Sequence, residues 1–178
     1  MQVEKSTTTK LYVTDVSNLD PVTIYLEDNP PHRGKITIEC YGKAWSYYWG
    51  NIGAKSIMDF FVNCDNHYLS EKFDPHTPRT ITDEDTLEKH AKQHIIENRK
   101  TDYISRTEAR DLWDLTDGLC ADDNYALSRI YGDEWWDCLP QIPNHKIQYL
   151  YRILDVCKEA VRLYYSGLLG LDKQREKT

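Results

Sequence analysis

Pro21–Cys64 reads PVTIYLEDNPPHRGKITIECYGKAWSYYWGNIGAKSIMDFFVNC, and the fold class follows from it. Val22–Leu26 and Ile36–Tyr41 alternate apolar with polar residues on either side of Asn29–Gly34, which carries two prolines and a glycine. Period-two alternation flanking turn residues predicts a β-hairpin, and the prolines keep the connection outside a central ladder. Leu11–Val16 alternates well enough to supply an earlier strand, closed by a turn at Ser17–Pro21. Ala44–Trp49 is read as a fourth strand rather than a helical turn, because its bulky aromatic residues suit a pleated surface. Gly50 and Gly53 then break the chain. Lys55–Val62 reads as a short helix burying Ile57, Phe60 and Phe61, and Asp65–Lys72 as another with Tyr68 and Leu69 inward.

After a linker at residues 74–79 the pattern turns helical. Thr82 and Asp85 have capping-box spacing, with Leu87, Ala91 and Ile95 following at helical intervals. A helix over Arg106–Leu119 is expected to turn Ala109, Leu112, Trp113 and Leu115 inward, and Asp122–Tyr131 forms a third. The last helix, over residues 143–169, is capped by Asn144. Its apolar residues Ile147, Leu150, Leu154, Cys157, Val161, Tyr164 and Leu168 alternate spacings of three and four. Packing of this seam inside the domain is preferred to a dimer interface, since heptads containing Cys and Tyr make a weak coiled coil.

The expected architecture is α+β, a single domain over residues 1–178. It comprises a loose arm at 1–9, a small antiparallel sheet over about 10–49 with short helices to 73, an acidic helical part over 80–140, the long helix, and a tail at 170–178.

Hydrophobic content of 40% with 29% charged residues is that of an ordinary soluble protein. No apolar run has the length of a transmembrane helix, and the first residues lack an apolar signal region. Five irregularly spaced cysteines argue against a disulfide framework and for reduced thiols in a cytoplasm. The net charge of −7 is localised: residues 81–137 hold fifteen Asp/Glu against seven Lys/Arg, whereas the remainder holds fourteen against fifteen. Such a field disfavours direct nucleic-acid binding and favours a protein partner with a basic surface.

The string VTIYLED, then HRGKITIECYGKAW, SYYWG and FFVNCDNHYL, running from Val22 to Leu69, resembles a family of small proteins from tailed phages and prophages. Tyr149–Ile153 adds a weaker match. The resemblance implies a phage or prophage origin and transfers no catalytic residue.

Motifs for nucleophilic hydrolysis, phosphate cradling and dinucleotide binding are missing: there is no Gly-x-Ser-x-Gly, no Gly-x-x-x-x-Gly-Lys-Ser/Thr and no Gly-x-Gly-x-x-Gly. No cofactor is expected. Cys64-x-x-His67 with His90-x-x-x-His94 is the best zinc candidate and would suit a small metal- or Cys-dependent enzyme; each His also fits as a surface or cap residue. Cys120 near Asp122 and Asp123 can likewise be drawn as a thiol site, against the commoner inert thiol. The acidic segment is the more informative feature. Asp102, Glu108, Asp111, Asp114, Asp117, Asp122, Asp123, Asp133, Glu134 and Asp137 recur along helices, and Trp45, Trp49, Trp135 and Trp136 are aromatic surface candidates.

The leading expectation is an acidic phage accessory protein that acts by protein–protein binding. One form of it inhibits a nucleic-acid-targeting host defence, of anti-CRISPR or anti-restriction type, through a carboxylate array that mimics phosphates. The alternatives are the enzyme just described and a self-assembling structural component held through residues 147–168. A solvated acidic face that serves only solubility is the bland reading.

Overall fold

The computed structural model describes Met1, Val3 and residues 7–175, with side chains through residue 167. The fold is α+β, and the chain divides into two compact units: Met1–Thr77 with His145–Thr178, and Pro78–Asn144.

In the first, the sheet unit, β1 (Thr9–Val13), β2 (Val22–Asn29), β3 (Arg33–Cys40) and β4 (Lys43–Trp49) form an antiparallel meander in that order. The alternation at Val22–Leu26 and Ile36–Cys40 becomes one buried face, on which Val22 faces Cys40, Ile24 faces Ile38 and Leu26 faces Ile36. The opposite face is polar, with Thr37 and Ser46 hydroxyls 2.8 Å apart and the Tyr25 hydroxyl donating to Glu39 at 3.1 Å. Between β3 and β4 the chain turns through two residues of positive φ, Tyr41 (48°) and Gly42 (73°), the geometry that matches the twist of a tight hairpin. β1 starts two residues and ends three residues earlier than its expected range, because Asp15 and Asn18 adopt positive φ and start the turn at once. Of the expected arm, Gln2 and residues 4–6 lie outside the described residues, and Thr9 already pairs with Leu26.

Three helices cover the apolar face: α1 (Ile57–Asn63), α2 (Asn66–Phe73) and α6 (His145–Arg175). Ile57, Phe61, Leu69 and Phe73 meet Leu150, Ile153, Leu154, Cys157 and Val161 in one core with the strands. Each such side chain contributes about 1.5–3 kcal/mol when fully buried. The long-helix seam is therefore spent inside the sheet unit from Leu150 to Val161; Tyr164 is exposed, and the Leu168 side chain lies outside the described residues. Phe60 and Tyr68, expected inward, are half-buried at the edge of this core. The helix continues to Arg175 through much of the expected tail, and residues 176–178 lie outside the described residues.

One charged group is buried with the helices. Lys158 is 6% exposed, and its ammonium donates to the Cys64 carbonyl and, at 2.6 Å, to Asn66 Oδ1. Asn66 in turn donates to Asp155 at 2.7 Å. These bonds fasten the α1–α2 corner to α6, and loss of hydration pushes the lysine below its ordinary pKa.

The second, helical unit contains β5 (Thr80–Thr82), α3 (Glu84–Lys100), α4 (Arg106–Asp114), α5 (Asn124–Tyr131), a 3-10 turn at Trp135–Asp137 and β6 (Gln141–Pro143), which pairs with β5. Leu87, Ala91 and Ile95 of α3 pack with Leu112, Leu127 and Ile130 in its core. The capping-box reading at Thr82 is corrected: Thr82 ends a strand, Asp83 is the cap residue, and its carboxylate accepts from the Thr86 hydroxyl at 2.6 Å. α4 stops at Asp114 instead of Leu119, where the Thr116 hydroxyl bonds back to the Trp113 carbonyl and Gly118 takes a positive φ. No helix among the described residues is long and apolar enough to cross a membrane.

Candidate partner-binding surface

All ten singled-out carboxylates, Asp102, Glu108, Asp111, Asp114, Asp117, Asp122, Asp123, Asp133, Glu134 and Asp137, are exposed, and all belong to the helical unit. That unit carries fifteen Asp/Glu against eight Lys/Arg, a balance of −7, while the sheet unit carries fourteen of each. Three of the ten are engaged. Asp102 pairs with Arg99 at 2.6 Å, Asp117 lies 3.9 Å from Lys92, and Asp123 caps α5 by accepting from the Ala126 amide at 3.0 Å. The other seven form no hydrogen bond or ion pair among the described residues. Ser105 caps α4 by accepting from the Glu108 amide, so that Glu108, Asp111 and Asp114 follow one another at three-residue steps along this helix.

The aromatic assignments need correction. Trp45 (5% exposed) and Trp49 (4%) are core residues, because inward positions of β4 face Ile38 and Gly34 across the ladder. Trp135 is half-buried, and Trp136 is 55% exposed. Trp113 was expected inward but is 40% exposed, with the Lys92 ammonium 5.4 Å from its ring centroid. Tyr103 and Tyr125 also stand in solvent, so the carboxylates are interspersed with rings.

The sequence reading missed a groove of about 310 Å³ between α3 and α4. Ile95, Ile96, Ala109 and Trp113 form its apolar lining, and Arg99, Lys100, Arg106 and Arg110 its rim. The signal was present: Ala109/Trp113 and Arg106/Arg110 are two i, i+4 pairs lying side by side on one helix.

Cys64 and His67 belong to the sheet unit, and His90 and His94 to the helical unit. Among the described residues no three His, Cys, Asp or Glu side chains are grouped to hold a metal ion. Burial, the largest influence, pushes the Cys64 thiol up, the direction opposite to what a nucleophile needs. Cys120 is exposed. His90 Nδ1 lies 2.9 Å from the Tyr131 hydroxyl, and His94 Nε2 lies 2.9 Å from Asn98 Nδ2 with its ring against Tyr131. Burial raises the Tyr131 hydroxyl to about 12.

Burial and, secondly, the neighbouring His90 hold His94 below the ordinary imidazole range. The unfolded chain therefore binds this proton first, and the associated stability, present above about pH 6.5, is lost as pH falls through the lower folded value. Urea midpoints of the helical unit are expected to drop between about pH 7.5 and 5.5, and His94→Gln to flatten that slope. Equal slopes in parent and variant would count against the assignment.

No curated protein and no solved structure matches the chain. Residues 1–163 match the model of a phage protein family, described as a Phage family, whose function is unknown. The match runs through residues 75–140, where the sequence carried no recognised resemblance, as well as through the hairpin block. It spans both compact units, and the chain belongs to this phage family.

Proposed function

We propose that this phage protein is an accessory factor that acts by binding another protein, and that the exposed carboxylates of the helical unit meet a basic surface on that partner. The observation that carries this reading is the mixture of seven unengaged carboxylates with exposed rings at Tyr103, Trp113, Tyr125 and Trp136. Solubility alone needs charge but no solvent-facing indoles, whereas binding surfaces are enriched in Trp and Tyr. Host enzymes that grip nucleic acid present a basic groove of the required kind, so inhibition of a nucleic-acid-targeting defence enzyme is the finer form of the proposal. It rests on analogy with other small acidic phage proteins.

The test is capture of a host protein by the purified chain at low and high salt. Binding that is released by salt and lost in Asp111→Lys/Asp114→Lys is expected, by tenfold or more if each reversal removes about 1 kcal/mol of charge complementarity. Affinity unchanged by the double substitution would sink the acidic-face reading.

A further inference from the structure

We propose that two copies of this chain associate by seating the acidic loop around Trp136 of one copy in the α3–α4 groove of the other. The helical unit is short of cations, yet four of its eight stand around this one groove. Arg99 pairs with Asp102, whereas Lys100, Arg106 and Arg110 pair with no carboxylate among the described residues. An apolar floor inside a basic rim selects a bulky apolar group flanked by negative charge. A volume of about 310 Å³ is at the small end of ligand sites and suits one large side chain.

Asp133-Glu134-Trp135-Trp136-Asp137 has the complementary make-up. Trp135 packs against the core of the helical unit, with the two indoles edge-to-face at 5.9 Å, and Trp136 stands in solvent. The carboxylates of Asp133, Glu134 and Asp137 have no partner among the described residues. Within one copy none of these residues lines the groove, so the contact that satisfies both features lies between copies. Trp and Arg are both enriched at the energetic centres of interfaces, and Arg stacks favourably on an indole face. In a two-fold pair the contact is made twice. Trp136 and the carboxylates of Asp133, Glu134 and Asp137 enter both proposals, but the tests are separate, because the partner proposal is probed at Asp111 and Asp114.

Sedimentation equilibrium of the full chain over about 1–300 μM tests it, a range bracketing the micromolar affinity of a small interface. Mass rising with concentration from 21.0 kDa towards its double, less so at high salt, is expected. Trp136→Ala, and separately Arg106→Glu/Arg110→Glu, each weaken association by about tenfold or more. Asp133→Lys/Glu134→Lys/Asp137→Lys does the same alone. Mixed with the groove double variant it forms a heterodimer, since the reversed loop meets the reversed charges at positions 106 and 110 while the second contact keeps its native charges. All substituted residues are exposed, and unchanged circular dichroism and unfolding midpoints tie the losses to the interface. A chain that stays at 21.0 kDa throughout overturns the proposal, as does association indifferent to these variants. So does a foreign acidic, Trp-bearing peptide that fills the groove of a chain remaining monomeric.

Discussion

Trp49→Ala is expected to lower the unfolding free energy by about 3–5 kcal/mol, whereas Trp136→Ala changes it by no more than about 0.5 kcal/mol in the monomer. The two indoles differ only in surroundings. Trp49 is 4% exposed and stands edge-on to Tyr47, Phe60 and Phe73 at centroid distances of 4.8, 5.3 and 5.8 Å. Its Nε1–H donates to the Tyr68 hydroxyl at 3.0 Å. Truncation removes the largest ring of this cluster, forfeits three ring pairs of about 0.5–1.5 kcal/mol each, and leaves a partly buried hydroxyl without its donor. These terms overlap, so the cavity range of about 3–5 kcal/mol is the appropriate figure and not their sum. Urea unfolding followed by far-ultraviolet circular dichroism reads the difference. A Trp49→Ala loss below about 1 kcal/mol would place this residue outside the core.

Gly34→Ala is the second large effect, and its sign is informative. In an ordinary strand, alanine gains about 0.5–1 kcal/mol over glycine. Here a Cβ on Gly34 would lie 2.6 Å from Ile57 Cδ1 and 2.9 Å from both Ile57 Cβ and Cγ1. Ile57 is fully buried, and its amide donates to Asp28 Oδ1 at 2.7 Å, pinning the start of α1 to β2. The helix cannot retreat without breaking that bond, so overpacking of about 1–3 kcal/mol wins and the variant is destabilised. Gly34→Val is worse. Ile57→Ala removes two of the three clashing atoms, and the double variant Gly34→Ala/Ile57→Ala is expected to be less damaged than the sum of the singles by at least about 0.5 kcal/mol. Additive losses, or a stabilising Gly34→Ala, would show that the strand and helix are not held this closely.

The sheet was legible because each of its strands carries a periodic signal long enough to read. Val22–Leu26 and Ile36–Cys40 alternate in register, and Tyr41-Gly42 supplies the turn. β5 and β6 were not legible. Each has three residues, β6 ends in a proline, and a pairing between Thr80 and Pro143 leaves no local pattern for a sequence window to detect. The α4 error had a different source: Leu112, Leu115 and Leu119 suggest one helix, but Thr116 competes for a backbone carbonyl and ends it early. Trp45 and Trp49 were only candidates for the surface because an aromatic cluster has two readings, and the β4 register decides for the core. The acidic residues were correctly read as solvent-facing, since helix faces rich in carboxylates rarely bury them. Averaging charge over residues 81–137 hid the groove, because a net of −8 conceals four cations brought together by two helices.

The discontinuous make-up of the sheet unit sets an order of events during synthesis. Its apolar sheet face is complete once residue 77 has emerged, yet α6, which supplies Leu150 to Val161, is separated from it by the 67 residues of Pro78–Asn144. Synthesis through Val161 adds 84 residues after Thr77, so at about 5–20 residues per second the ribosome takes roughly 4–17 s to deliver that cover, far longer than the microseconds in which a hairpin forms. The helical unit, by contrast, is contiguous and closes on itself: the Asn144 amide donates to the Arg79 carbonyl at 2.7 Å, and its side chain to the Pro78 carbonyl. The nascent chain thus assembles its middle while its beginning waits, and the exposed strands of residues 9–49 are its point of greatest exposure to aggregation and to host chaperones.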